Sequence, residues 1–196
     1  MIVAFLFQAV LPVVSPKLAT DLRSGMLLVY ASDGGEQPPW SIDFVESRVA
    51  LKDHADCARL RIRRQPSQAE PDENRLCVEK GTLYVWDSGG NTWLPQRPVG
   101  PGMELILPRP NGDVVQYTTG TVSEEVISGL RLSVLETTVT TVDSSGRPRR
   151  RLRERYALTL ATATGGRFEV PDPDAPVAWR TQQVFELREI RMPESH

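Results

Sequence analysis

The chain has 196 residues, with 25 acidic and 23 basic side chains and a formal net charge of −2. This length is ample for a single domain with a substantial core. The near-neutral balance argues against a general nucleic-acid binder, whose affinity comes from neutralising phosphates with Lys and Arg. The content of 16 prolines and 14 glycines is typical of short strands joined by tight turns.

The first fourteen residues carry no charged side chain, and nothing later in the chain is comparably apolar. An apolar stretch of about 7–15 residues is the central part of a secretory signal. A basic start and a good cleavage site are missing here, so an uncleaved anchor and a buried N-terminal segment are alternatives. Residues 1–20 are predicted to be a leader and residues 21–196 a single β domain. We expect the domain to be extracytoplasmic, periplasmic or secreted, in a bacterium, with no transmembrane span beyond the leader.

The two cysteines lie in a predicted hairpin. Cys57 and Cys77 flank a polar, Pro-containing loop, and apolar and polar residues alternate on both sides of it. Because strand side chains alternate with a period of two, pairing 57 with 77 places both sulfurs on the same, polar face and sets Arg61 opposite Glu73. The pattern predicts a Cys57–Cys77 disulfide, with two unrelated free thiols as the alternative. No metal site is predicted, since these cysteines and His54 lack a fourth ligand.

Strand patterns and turn signals alternate along the rest of the chain. Asn-Gly at 111–112 and the Asp143–Gly146 turn mark two hairpins, and only residues 123–127 suggest a helical turn. In chain order, and beside the cysteine hairpin, the predicted strands are Met26–Tyr30, Trp40–Glu46, Thr82–Trp86, Thr92–Leu94, Met103–Leu107, Val114–Tyr117, Leu130–Val142, Arg147–Leu160 and Gln183–Ile190.

These elements predict an all-β fold with little helix. About ten strands with hairpin-length connections form one large antiparallel sheet. Because long strands twist strongly, such a sheet curls into a barrel, half-barrel or sandwich.

Catalytic motifs give little support to an enzyme. His54 is the only realistic general base, because the other histidine is the terminal His196, and it lies in a polar run typical of a solvated turn. Glu124 and Glu125 are adjacent, so on a strand they face opposite ways and cannot flank one bond. No catalytic residue, metal ligand or cofactor is predicted, although two carboxylates from distant strands remain an open alternative.

An arginine run is the unusual surface signal. Four of its members would share one face of a strand: Arg149, Arg151, Arg153 and Arg155. If the Asp143–Gly146 turn sets the register, they lie opposite Thr140, Thr138, Glu136 and Val134 respectively, and Glu154 lies opposite Leu135. A ladder of guanidinium groups can bind a lipid headgroup, an acidic polysaccharide or a partner's carboxylates. The alternative is a solvated face that discourages edge-to-edge aggregation.

Apolar and aromatic side chains are the second set of candidates. The concave side of a curled sheet can hold an apolar ligand, or the same side chains can simply fill a core. The predicted lining residues are Trp40, Phe44, Tyr84, Trp86 and Leu105.

One stretch, roughly residues 80–160, resembles known proteins. It is composed of the segments Trp93–Gly100, Met103–Leu105, Gly129–Thr138, Asp143–Gly146 and Arg153–Tyr156. The order and spacing of these segments are similar to those of uncharacterised bacterial secreted proteins with a curved antiparallel sheet, which resemble the lipoprotein-carrier half-barrel. The resemblance implies a carrier of hydrophobic ligands, and no functional residues carry over from it.

Three functional hypotheses follow. The first is a non-enzymatic exported β-protein that binds a lipid, another hydrophobic ligand or an envelope protein. The second is a structural or interaction module that uses exposed strands and the arginine face without a cavity. The third is an enzyme acting on polysaccharide, which needs paired carboxylates in a cleft.

Overall fold

The computed structural model describes residues 18–23, 25–33, 41–46, 56–63 and 72–193, without the side chains at 41–46, 56, 63, 176 and 177. Residues 1–17 of the predicted leader, Trp40 and His54 lie outside the described residues, as does the side chain of Phe44. Among the described residues, no helix is long and apolar enough to cross a membrane.

Strands dominate the described part of the chain. A 3₁₀ turn at Leu158–Leu160 is the only helical element found there. The strands are β1 (Leu27–Asp33), β2 (Ser41–Glu46), β3 (Asp56–Arg63), β4 (Asp72–Glu79), β5 (Thr82–Asp87), β6 (Thr92–Pro98), β7 (Glu104–Pro108), β8 (Val114–Ile127), β9 (Leu130–Val142), β10 (Pro148–Ala157), β11 (Thr162–Asp172) and β12 (Ala175–Arg191).

The strands form two antiparallel sheets, which confirms the predicted all-β, hairpin-connected class. The larger sheet has seven strands in the order β1-β12-β11-β10-β9-β8-β7, and the smaller has five in the order β2-β3-β4-β5-β6. Within each sheet, neighbouring strands are consecutive in the chain, except that β1 pairs with β12. Because its edge strands β1 and β7 do not pair with each other in the described residues, the larger sheet is not closed into a barrel.

Residues 123–127 are not the helical turn that their sequence suggests. They belong to β8 and pair with β9, from Ser123 opposite Val134 to Ile127 opposite Leu130. The ladder satisfies their backbone groups, so tertiary pairing overrides the local preference. The chain reverses at Ser128 and Gly129, which both have positive φ.

The predicted register of the β9–β10 hairpin is wrong by two residues. Arg153 lies opposite Thr138 rather than Glu136, and Glu154 lies opposite Thr137 rather than Leu135. The first residue of this shift comes from the turn, which closes between Asp143 and Arg147 and is one residue longer than predicted. The second comes from an irregularity in the ladder between Pro148 and Arg150. A shift of two keeps every side chain on its predicted face.

The cysteine hairpin has the predicted register. Cys57 lies opposite Cys77 and forms a disulfide with it, and Arg61 lies opposite Glu73. Both cysteines are buried rather than part of a polar surface. Their neighbour on the same face is Tyr84 of β5, which pairs with Cys77, so an aromatic side chain adjoins the disulfide.

The core contains the first described residues of the chain. Leu18, Leu22 and Met26 are buried, and they cluster with residues of both sheets. The Ala19 N–H donates to the Leu158 carbonyl at 2.9 Å, and the Asp21 N–H donates to the Thr159 carbonyl at 3.0 Å. This segment therefore packs against the 3₁₀ turn between β10 and β11.

The turn between β9 and β10 is organised by one carboxylate. Asp143 Oδ1 accepts hydrogen bonds from the Ser145 hydroxyl at 2.6 Å, the Ser145 N–H at 2.9 Å and the Arg147 N–H at 3.0 Å. Its Oδ2 lies 2.8 Å from Arg149 Nε. The Ser145 hydroxyl and the Arg147 N–H favour the ionised form and lower the pKa of Asp143 from 3.8 to about 2.

Removing the disulfide should lower the free energy of unfolding. Cys57 and Cys77 are 20 residues apart, and closing a loop of this size stabilises by about 3 kcal/mol in the chain-entropy model. We expect the Cys57→Ser, Cys77→Ser variant to lose about this amount in urea unfolding. A reductant should destabilise the wild type by a similar amount and leave the variant unchanged. Equal stability of oxidised and reduced wild type would contradict the prediction.

The carboxylate of Asp143 should titrate about two pH units below its ordinary range. Because its folded pKa is depressed, it stabilises the hairpin above about pH 4, and this contribution is lost as the pH falls towards 2. The measurement is an NMR titration of the Asp143 side-chain carbonyl. Ser145→Ala removes the strongest donor and should raise the midpoint, whereas a wild-type midpoint near 3.8 would disprove the assignment.

Candidate functional site

A cavity of about 720 Å³ lies between the two sheets. Its apolar walls come from five strands of the larger sheet and three of the smaller. On the larger sheet they are formed by Tyr30, Tyr117, Leu152, Tyr156, Ala163, Phe168 and Phe185, and on the smaller sheet by Leu60, Ile62, Leu76 and Val85.

Strand alternation explains why these side chains meet. On β10, Leu152, Glu154 and Tyr156 occupy alternate positions and line the cavity. Leu60 and Ile62 of β3 do the same from the facing sheet. Because alternate side chains point to one face, a two-residue repeat on each sheet is enough to line a space between them.

A buried ion pair joins the two sheets at the cavity wall. Arg97 of β6 pairs with Glu154 of β10, and the exposed fractions of the two side chains are 12% and 6%. The Arg97 guanidinium carbon also lies 4.1 Å from the centre of the Tyr156 ring, in cation–π geometry. Burial raises the pKa of Tyr156 although the charge of Arg97 opposes this effect, so the phenol stays neutral.

Tyr30 contributes a second neutral phenol. Its hydroxyl donates to the Ala163 carbonyl at 2.7 Å and lies 3.0 Å from Thr162 Oγ1. Burial raises the pKa of this phenol well above its usual value. The hydrogen bonds fix the ring of this edge-strand residue against β11, and the Tyr30 phenol stays protonated at neutral pH.

Further polar side chains also line the cavity. Gln183 Nε2 donates to Ser32 Oγ at 2.8 Å, which links β12 to β1. The remaining polar lining residues, apart from the Arg97–Glu154 pair and Thr162, are Asn74, Gln96, Arg150, Glu169 and Gln182. The cavity is therefore amphipathic.

The predicted aromatic set does not line this cavity. Val85 of β5 faces the space, so its neighbours Tyr84 and Trp86 point to the other side of the small sheet. There Trp86 stacks edge-on against Trp93 at 5.3 Å between ring centres. Leu105 lies opposite Tyr117, a lining residue, but is not itself part of the wall. Trp40 and the Phe44 side chain are outside the described residues.

The predicted arginine face is a network of ion pairs. Glu169 of β11 lies 2.6 Å from Arg151, 3.1 Å from Arg167 and 3.4 Å from Arg153, measured from its carboxylate oxygens to their Nε atoms. Arg155 lies 2.6 Å from Glu125. Arg149 is held by Asp143, so all four predicted arginines have acidic partners. Binding of an anion or a partner at this face stays a prediction.

Of the glutamates that the sequence singled out, Glu124, Glu125 and Glu136 are not among the residues that line the cavity. Glu125 accepts a hydrogen bond from the buried Thr164 hydroxyl at 2.9 Å, and Glu124 pairs with Arg131 at the surface. Glu136 pairs across the ladder with Arg155, on the face away from the cavity, whereas Glu154 lines the cavity. Within the described ranges, no three His, Cys, Asp or Glu side chains gather where they could hold a metal ion.

Sequence reasoning missed the residues that define the cavity. Phe168 and Glu169 lie on β11, which was not predicted as a strand, and Arg97 lies between two prolines in a segment with no binding signal. The alternating Leu152 and Tyr156 were visible as a strand face. What faced them could not be read from the sequence, because the opposite wall belongs to a separate sheet.

Breaking the Arg97–Glu154 pair should be costly, because it leaves a buried charge without its partner. We expect Glu154→Gln and Arg97→Gln each to lower the free energy of unfolding by about 3 kcal/mol. The double variant should be less destabilised than the sum of the two, since neither charge is left alone. The control is Arg131→Gln, which breaks the exposed pair with Glu124 and should cost less than about 0.5 kcal/mol. Additive losses in the double variant would show that the pair is not coupled.

Comparison with known proteins identifies no relative of this chain. No protein-family model, curated protein or solved structure matches the chain. The resemblance of residues 80–160 to lipoprotein-carrier half-barrels therefore stays a prediction. What the cavity can bind follows from its own residues.

Proposed function

We propose that this protein binds a hydrophobic ligand in the cavity between its two sheets, without catalysing a reaction on it. The observation that carries the proposal is the cavity itself, with a volume of about 720 Å³. Pockets for small molecules are commonly about 300–1,000 Å³, mainly apolar, with a few polar groups that orient the ligand. The cavity has both properties.

The composition of the walls supports an acyl chain or a similarly apolar body. Phe168 and Phe185 are neighbours on adjacent strands, with 5.8 Å between ring centres, and they face Leu60 and Ile62 across the space. Each buried methylene of a ligand is worth about 0.8 kcal/mol in this setting. A long-chain ligand therefore gains most of its affinity from these side chains.

The compartment proposed for this activity is extracytoplasmic, in the periplasm or outside a bacterial cell. The Cys57–Cys77 disulfide supports this assignment, because disulfides persist in oxidising compartments and are rare in the cytosol. A protein that holds an apolar molecule there shields it from water.

The partner-binding alternative receives less support. The arginines that would form its surface are engaged with Glu169, Glu125 and Asp143. A partner's carboxylate would have to displace an existing one. An envelope protein that exchanges the ligand is compatible with the cavity and needs no open arginine ladder.

Mass spectrometry of the protein from its own host tests the occupancy directly. Protein from the envelope fraction should show, under native conditions, an adduct of lipid size that is lost on denaturation. A two-hydrogen deficit in the denatured mass would report the disulfide. Adduct-free protein after gentle, detergent-free purification would count against ligand binding.

Filling the cavity should abolish binding while leaving the fold intact. We expect Leu152→Trp, in the wall, to reduce the binding of a hydrophobic fluorescent probe at least tenfold, because the indole takes the ligand's volume. Ile106→Trp is the matched control, since Ile106 is 62% exposed on the edge strand β7. Circular dichroism should show both variants folded. Equal probe binding by the two folded variants would place the probe elsewhere.

A further inference from the structure

Charged residues in the cavity wall are almost completely compensated. Glu154 is paired with Arg97, and Glu169 is held by Arg151, Arg153 and Arg167. A negative ligand group gains nothing from these pairs, and a positive one finds no open carboxylate among them.

Arg150 is the exception among the charged lining residues. It lies on β10, on the cavity side, two positions before Leu152, and its side chain is exposed to solvent. Within the described residues its side chain forms no ion pair, and the only hydrogen bond of that side chain is a long one, 3.4 Å, from Nε to Thr141 Oγ1. A guanidinium with most of its donors unused therefore stands where the cavity meets solvent.

Neutral amides also line the cavity. Asn74, Gln96, Gln182 and Gln183 supply amide groups to the lining. Amides can donate to an anion without adding charge. One uncompensated cation together with neutral amides suits a head group with a single acidic function rather than a zwitterion or a cation.

We propose that the ligand is a single-headed anionic amphiphile, whose carboxylate or phosphate binds Arg150 while its apolar chain fills the cavity between the sheets. This inference rests on the proposed function, since it needs a chain in the cavity. A guanidinium recognises both acids through paired N–H donors. Because Arg150 is at the mouth, the head group stays in contact with water and only the chain is desolvated.

Ligands that share one alkyl chain and differ in their head group distinguish hydrophobic binding in the cavity from recognition of the head group by Arg150. Dodecanoate, dodecyl phosphate, dodecanol and dodecylammonium share a chain length and differ in head charge, and calorimetry on the full chain at neutral pH measures each affinity. We expect the two anions to bind about tenfold more tightly than dodecanol, and dodecylammonium more weakly than dodecanol. A clear preference between the two anions would identify the natural head as carboxylate or phosphate.

Variants then assign the preference to one residue. Arg150→Gln should weaken dodecanoate binding about tenfold and leave dodecanol unchanged, while Arg150→Lys should keep most of the preference because the charge remains. Arg131→Gln removes the same charge at a distant, 74% exposed position and should change neither affinity. Because Arg150 is exposed, its replacement should leave the fold intact, and equal thermal midpoints of all three variants check this.

Three other results would each contradict a stated part of the proposals. Equal binding of anion and alcohol by the wild type would overturn the head-group assignment and leave hydrophobic binding standing. An anion preference that survives in Arg150→Gln would overturn the role of Arg150. If none of the four compounds binds, both the proposed function and this inference fail.

Discussion

The buried pair of Arg97 and Glu154 is the interaction on which the arrangement of the two sheets depends. Removing two charges from water costs several kcal/mol for each ion, and only close geometry with further contacts offsets that cost. The guanidinium meets these conditions because it contacts the carboxylate and the face of Tyr156 at once. An apolar contact at this point would allow the sheets to slide, whereas a directional pair fixes how β6 sits over β10.

The two faces of β10 divide the chemistry of the molecule. Odd-numbered arginines from 151 to 155 enter a network with Glu169 and Glu125, and even-numbered residues from 150 to 156 line the cavity. The network crosses from β8 to β11 through Glu125, Arg155 and Thr164. Because these ion pairs hold neighbouring strands together on one face of the sheet, the other face can border a cavity while the distance between the strands stays unchanged.

Side-chain alternation and turn signals predicted most of the strands, but they did not predict contacts between segments that are far apart in the chain. The disulfide register followed from Cys57 and Cys77 alone, because two cysteines on alternating strands leave few choices. The predicted register of the β9–β10 hairpin was wrong because the ladder closes between Asp143 and Arg147 and is irregular between Pro148 and Arg150, which are details of turn geometry. The lining of the cavity could not be predicted, since its walls come from strands far apart in the chain, such as those of Ser32 and Gln183, which are 151 residues apart. Sequence alternation showed which side chains share a face but not which face meets another.

The pairing of β1 with β12 sets the order in which the molecule can be completed. Tyr30 on β1 and Phe185 on β12 both belong to the cavity wall, yet they come from opposite ends of the chain. Because β1 and β12 are the first and last strands of the described residues, closing their ladder costs more chain entropy than closing a hairpin, so the ladder forms late. During synthesis, the cavity has no complete wall until β12 has emerged. The cavity wall is therefore complete only once β12 has paired with β1, and the proposed ligand can be enclosed only from that point.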